Sequence, residues 1–119
     1  MANYALTNYA KDNMLDYLAT QALYASLHSS EPDATGSNEV AGGSPAYARK
    51  SVSWIPAAGG LMSITATETF DIPVGATVAY AGIWDASSGG NFLGYSIVTL
   101  HGPYTGQGTY ILNTFVIAL

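Results

Sequence analysis

Val78-Ala79-Tyr80-Ala81-Gly82-Ile83-Trp84-Asp85 and Phe92-Leu93-Gly94-Tyr95-Ser96-Ile97-Val98-Thr99-Leu100 stand on either side of Ala86-Ser87-Ser88-Gly89-Gly90-Asn91, and this pair of runs decides the fold. Both are rich in β-branched and aromatic residues and the residues between them are turn formers, which predicts two antiparallel strands joined as a hairpin. Gly82 and Gly94 fall inside those strands, where a missing side chain marks a bulge or a close approach by Trp84 or another backbone.

Working outward, Leu61–Phe70 alternates Met62, Ile64, Ala66 and Phe70 against Ser63, Thr65, Thr67 and Thr69, the pattern of a half-buried strand. Pro56-Ala57-Ala58-Gly59-Gly60 joins it to a strand predicted over Tyr47–Ile55, and Asp71-Ile72-Pro73-Val74-Gly75 turns the chain after it. Leu23–His28 is the first strand, with Leu23, Ala25 and Leu27 on one face and Tyr24, Ser26 and His28 on the other. Beyond the loop His101–Gly108, Thr109–Leu119 is apolar to its last residue and is expected to be tied into a sheet.

Helical period occurs once, over residues 3–20, where Leu6, Tyr9, Ala10, Met14, Tyr17 and Leu18 share a stripe predicted to dock on the core. Lys11, Asp12, Asp16 and Gln21 fall on the solvated side, and Asn3 or Thr7 is placed to cap the first turn. Six strands and one helix predict a mainly β chain: a small antiparallel β-sandwich with an N-terminal amphipathic helix on one side or end, one domain over residues 1–119. Residues 29–46 break every pattern, with two Pro and three Gly between Ser29 and Pro45. They read as a long loop, mobile until a neighbour orders it.

Composition excludes several functions. With three basic residues, Lys11, Arg49 and Lys50, the chain cannot neutralise the roughly six to ten phosphates of a duplex-binding site, so nucleic acid is not an expected partner. Without cysteine it offers no disulfide, thiolate metal site or cysteine nucleophile. No apolar run approaches the ~20 residues that cross a bilayer, and Asn3, Asn8, Lys11 and Asp12 stand where a signal peptide would be apolar, so neither membrane nor export is expected.

Only 9% of residues are charged and the net charge is −5, whereas ordinary soluble domains carry about 25% charged residues. Val78–Tyr80, Phe92–Leu100 and Thr109–Leu119 carry no charge at all. Strand edges of that kind are expected to be covered by other chains, and self-association follows.

Candidate chemistry is sparse. His28 followed by Ser29, Ser30, Glu31 and Asp33 has the residue types of a triad, but no G-x-S-x-G turn presents a serine, and His101 is the only other histidine for a metal site. Glu31, Asp33, Asn38 and Glu39 offer oxygen ligands for Ca²⁺ without the spacing of an EF-hand. Gly106-Gln107-Gly108 and Gly89-Gly90 open no helix and precede no P-loop lysine. Trp54, Trp84 and the nine tyrosines suit core and interface packing better than a carbohydrate platform. The reading is non-enzymatic, with no catalytic residue, metal or cofactor. Arg49, a planar cation at the exit of the long loop, is expected to pair with Glu31, Asp33 or Glu39, or with an acid of a neighbouring subunit. Glu31, Asp33, Glu39, Tyr47 and Arg49 are therefore the interface candidates.

Three pieces carry a resemblance. They are Leu6-Thr7-Asn8 with the helix behind it, then Leu23-Tyr24-Ala25-Ser26-Leu27-His28-Ser29-Ser30-Glu31-Pro32 with Gly36-Ser37-Asn38-Glu39-Val40 and Tyr47-Ala48-Arg49, and last Gly82-Ile83-Trp84-Asp85-Ala86 with Gly89-Gly90-Asn91-Phe92-Leu93. In this order and spacing they resemble a family of small virion structural proteins of tailed bacteriophages, whose members are labelled head decoration, minor tail or tail fibre proteins. Ser44-Pro45-Ala46 departs from the family, whose members run from the glycines straight into the tyrosine. The resemblance implies a location in the virion, assembled in the host cytoplasm. It also implies a homo-oligomer, with a trimer expected, and the phage major capsid protein or tail proteins as partners. Head decoration is the first expectation and a tail component the alternative. From other classes, a receptor- or carbohydrate-binding module would use exposed Tyr and Trp residues, and a small hydrolase would use His28.

Overall fold

A computed structural model describes residues 5–119. Its order is α1 (Asn8–Ala19), β1 (Tyr24–His28), β2 (Lys50–Ser51), β3 (Leu61–Ser63), β4 (Glu68–Ile72), β5 (Val78–Trp84), β6 (Phe92–His101), β7 (Gly108–Leu112) and β8 (Val116–Ala118). The chain is mainly β and antiparallel, with the one helix at its N-terminal end.

The predicted hairpin is β5–β6, at the heart of a four-stranded sheet in the order β2-β1-β5-β6. Ile83 opposes Gly94 while Trp84 opposes Phe92, so Leu93 is an extra residue and Gly94 marks a bulge. A second irregularity separates the pairs Tyr80↔Ile97 and Val78↔His101. The predicted strand Leu61–Phe70 is two strands, and Thr109–Leu119 is also two. β3 pairs β8 and β4 pairs β7, the pairs Leu61↔Ala118 and Glu68↔Leu112 being seven residues apart on one side and six on the other. One long antiparallel ladder therefore bends at 64–67, where one residue is accommodated without a partner and Ala66 turns outward. The predicted strand Tyr47–Ile55 shrinks to Lys50–Ser51 plus a single bridge, Trp54↔Ile64.

The core lies between the two layers. Ala25, Leu27, Ala81 and Ile83 of the four-stranded sheet meet Phe70, Ile72, Tyr110 and Leu112 of the bent ladder, with Phe115 and Ile64 at the bend. The side chains of each strand alternate, so the other face of the sheet, with Ser26, His28, Tyr80 and Trp84, needs a second cover. Residues 29–40 provide it. The stretch predicted as a long loop folds back as a strap with a 3-10 turn at Asp33–Thr35, held beside β1 by Ser29 N–H to Asn38 O and Val40 N–H to Leu27 O, both 3.0 Å.

The helix is shorter than predicted, and of its predicted docking stripe Leu18 docks while most of the rest does not. Thr7 is its cap, its hydroxyl accepting from Ala10 N–H at 3.2 Å; Asn3 lies outside the described residues. Leu15 is the buried residue, 2% exposed, with Leu18 beside it against the core, while Leu6, Tyr9, Met14 and Tyr17 of the predicted docking stripe are exposed. The cause is polar. Asp16 accepts Ala57 N–H at the surface and half-buried Asp12 accepts Gly60 N–H, each at 2.8 Å, so the two acids hold the 56–60 turn that leads into β3. Two charge-assisted bonds to that turn set the helix's rotation against the pull of the apolar stripe.

Candidate functional site

Arg49 is where the interface candidates converge. β1 carries Ser26 and His28 on the face away from the core, the strap returns Glu39 beside them, and the segment entering β2 brings Tyr47 and Arg49. Arg49 Nε and Nη2 donate to the two oxygens of Glu39, both at 3.0 Å, in a two-pronged ion pair. Its Nη1 donates to Ala86 O at 3.0 Å and Gly89 O at 2.9 Å, the carbonyls of the hairpin turn. The guanidinium lies 3.6 Å from the centre of the Trp84 ring, and the side chain is 8% exposed. One arginine thus ties strap to hairpin, with its planar fork matched to a carboxylate on one side and carbonyls on the other.

Tyr47 sits behind this pair. Its hydroxyl donates to Glu39 Oε2 at 2.8 Å and accepts Leu27 N–H at 3.0 Å, and its ring stacks on Phe70 at 6.1 Å. Burial first, and the Glu39 charge second, push its hydroxyl far above the usual phenol range, so it remains a donor.

Beneath the strap a buried relay is closed. His28 Nδ1–H donates to Ser37 O at 2.7 Å, since a carbonyl can only accept, which leaves Nε2 to accept from Ser26 O–H at 2.6 Å. Ser26 Oγ accepts Trp84 Nε1–H at 2.9 Å. Burial lowers the His28 pKa below its ordinary 6.5, opposed by the Ser37 carbonyl and the Glu39 charge. Gly82 lies opposite: a Cβ there would stand 2.6 Å from Phe92, 2.7 Å from Ser26 Oγ and 2.9 Å from His28 Nε2. The close approach expected at Gly82 is thus made by these three side chains. Gly36, at φ +74°, brings the strap so close that a Cβ would run into the Trp84 ring.

The remaining candidates lie at the strap's outer edge. Glu31 accepts Tyr95 O–H at 2.9 Å, and Asp33, itself in the left-handed region at φ 55°, accepts Thr35 N–H and O–H, both at 2.7 Å. Hydrogen bonds from Thr35 hold the Asp33 carboxyl below its ordinary range. The structure brings Glu39, Tyr47 and Arg49 together and keeps Glu31 and Asp33 apart from them. Each of the four acids and amides considered as a Ca²⁺ set is engaged elsewhere, Asn38 through Nδ2 to Glu31 O at 3.2 Å. Sequence reading missed Trp84, Ser26 and Gln107. Gln107 clamps the Ser44-Pro45-Ala46 departure, accepting Ser44 N–H at 3.2 Å and donating to Pro45 O at 3.0 Å. The glycine that Trp84 approaches is Gly36 of the strap and not Gly82, the one the sequence reading pointed to.

Chemically this arrangement holds the chain together: the histidine and serine are buried with their polar atoms bonded to one another and to the strap, and the ion pair binds the chain to itself. The matching family model spans residues 5–113 and is described as Podophage GP4 fiber I protein gp80. The chain belongs to this family. Membership makes it a structural protein of tailed phages, located in the virion. No curated protein matches the chain.

Proposed function

We propose that this protein is a non-enzymatic fibre component of the phage tail, present in several copies and contacting itself and neighbouring tail proteins. The observation that carries the reading is the family description, which covers nearly the whole chain and names a fibre protein, favouring the tail over the head decoration expected first. The geometry agrees in kind. The polar residues of the distinctive sequence run lock one chain into a rigid unit, as a load-transmitting part requires, while large apolar side chains are left outside. Nucleic acid and membrane are not among its partners on this reading: of the three cations, Arg49 is committed to Glu39, and no described helix is long and apolar enough to cross a membrane.

Labelling the protein on intact particles, empty heads and isolated tails tests the role. Signal confined to the tail is expected, and signal on heads alone overturns the fibre reading. The enzymatic alternative is checked separately: His28→Ala should leave any ester turnover at background, unchanged from the parent.

A further inference from the structure

β6 and β7 are end strands of their layers: β6 stands last in the order β2-β1-β5-β6 and pairs only with β5, and β7 pairs only with β4. A cleft of about 520 Å³ lies between them, lined by residues 97–99 of β6 and 109–112 of β7. Side chains of a strand alternate between its two faces, so a cleft over one face is lined by every second residue. Consecutive residues on both walls place this cleft along the strand edges, where main-chain N–H and C=O groups point. Among the described residues no backbone hydrogen bond joins the two walls. The gap is spanned instead by the Tyr110 hydroxyl, which donates to Thr99 O at 2.8 Å. Thr109 O accepts Tyr104 O–H at 2.9 Å and Ile97 O accepts Ser96 O–H at 3.4 Å. Carbonyls of both walls are thus met by hydroxyls where a neighbouring strand would meet them. Neither strand contains Asp, Glu, Lys, Arg or Pro, the residues that commonly guard an open edge.

We propose that this cleft is a strand-acceptor site, taking an extended, uncharged segment of another polypeptide between β6 and β7. The two edges select the occupant. An extended chain carries N–H and C=O groups along both of its sides and so pairs with two edges at once, which neither a sugar nor a helix does. The lining selects against charge, because no Asp, Glu, Lys or Arg lines the cleft and a charged side chain entering it is desolvated without a partner. Walls of three and four residues run for about 10–14 Å, the length of about four residues in a strand. The entering segment displaces the Tyr110 hydroxyl from Thr99 O and takes its place. This site rests on the fibre reading only in expecting a neighbouring chain. Particle labelling tests that reading and peptide binding tests the cleft, so the two can fail separately.

The probe is a hexapeptide of alternating threonine and valine, blocked at both ends and added to the full chain while the main-chain amides are followed by NMR. Saturable shifts at Ile97, Val98, Thr99 and Ile111 are expected at or below about 1 mM peptide, with slower amide exchange on the walls. A twin N-methylated at alternate residues keeps the side chains but loses the donors facing one wall, and should bind at least about tenfold more weakly. Ile97→Lys with Ile111→Lys guards both edges through side chains that are 73% and 53% exposed. The free protein's thermal melt should therefore stay in place while peptide binding falls at least about tenfold. No binding, equal binding of the N-methylated twin, binding indifferent to the lysines, or a neutral hexasaccharide shifting these amides when the peptide does not would each overturn the proposal.

Discussion

The strap face and the helix end handle their polar groups in opposite ways. Under the strap, a cation, a carboxylate, a histidine, a serine and an indole all turn inward, and every hydrogen-bonding atom finds a partner within the chain. At the helix end two carboxylates, exposed Asp16 and half-buried Asp12, bind the 56–60 turn, and their apolar neighbours Tyr9, Met14 and Tyr17 stay exposed. Satisfying the buried Gly60 N–H takes precedence over hiding apolar area, because an unpaired buried polar group costs more than one exposed side chain. The first region is packed by folding and the second stays exposed, so substitutions should separate them: large losses of stability under the strap, small ones on the helix stripe.

The sharpest break falls at Arg49. Arg49→Ala leaves Glu39 and the hairpin carbonyls without their partner and should cost about 3 kcal/mol, the low end for a buried ion pair because Glu39 retains some solvent. Arg49→Lys keeps the charge and loses the fork, so about half that loss is expected. Equilibrium urea unfolding measures both, and parent-like midpoints for both would make the lock dispensable.

Gly36→Ala comes next. It combines an unfavourable backbone conformation at φ +74° with a methyl group forced against the Trp84 ring, for an expected loss of about 2 kcal/mol. Since the strap is the part displaced, protease cleavage within residues 29–40 should rise in step. Unchanged protection there would mean that the strap is not held by its approach to Trp84.

The hairpin, β1, the Thr7 cap and the antiparallel sandwich were legible because each depends on local pattern: alternation, turn residues, a hydroxyl before a helix. The helix's rotation was not, since it is set by Asp12 and Asp16 reaching backbone groups more than forty residues away. The breaks inside Leu61–Phe70 and Thr109–Leu119 were hidden for a similar reason: one ladder bends where both partner strands bend, and neither run alone carries that information. At the candidate site, residue type placed Arg49 opposite an acid of the strap, but three acids qualified and only the fold brings Glu39 to it. The strap's packing escaped because Gly36, which read as flexibility, serves close packing on Trp84.

A third prediction sharpens the comparison through pH. His28 is held neutral in the fold with its pKa below 6.5, so the unfolded chain takes up a proton first as pH falls. Its stabilising share is complete above about pH 6.5 and is lost as pH drops below that value, by at most about 1.4 kcal/mol per pH unit. The groups facing it, Glu39 and Arg49, are paired to one another and supply no acceptor for a second imidazole N–H. His28→Gln should therefore flatten the dependence of unfolding free energy on pH between about 7 and 5. An equally steep dependence in the variant would place the acid sensitivity elsewhere.

The smallest effect is expected at the helix stripe, and its smallness is what matters. Tyr9→Ser and Tyr17→Ser remove rings that touch little of their own chain, so in dilute, dissociated protein each should change unfolding free energy by no more than about 0.5 kcal/mol. Such indifference would mean that the exposed rings contribute little to the chain's own fold. If either serine variant instead destabilises the monomer by more than about 1 kcal/mol, the stripe packs against its own chain in solution. The two regions would then not differ in kind, because both would serve the fold.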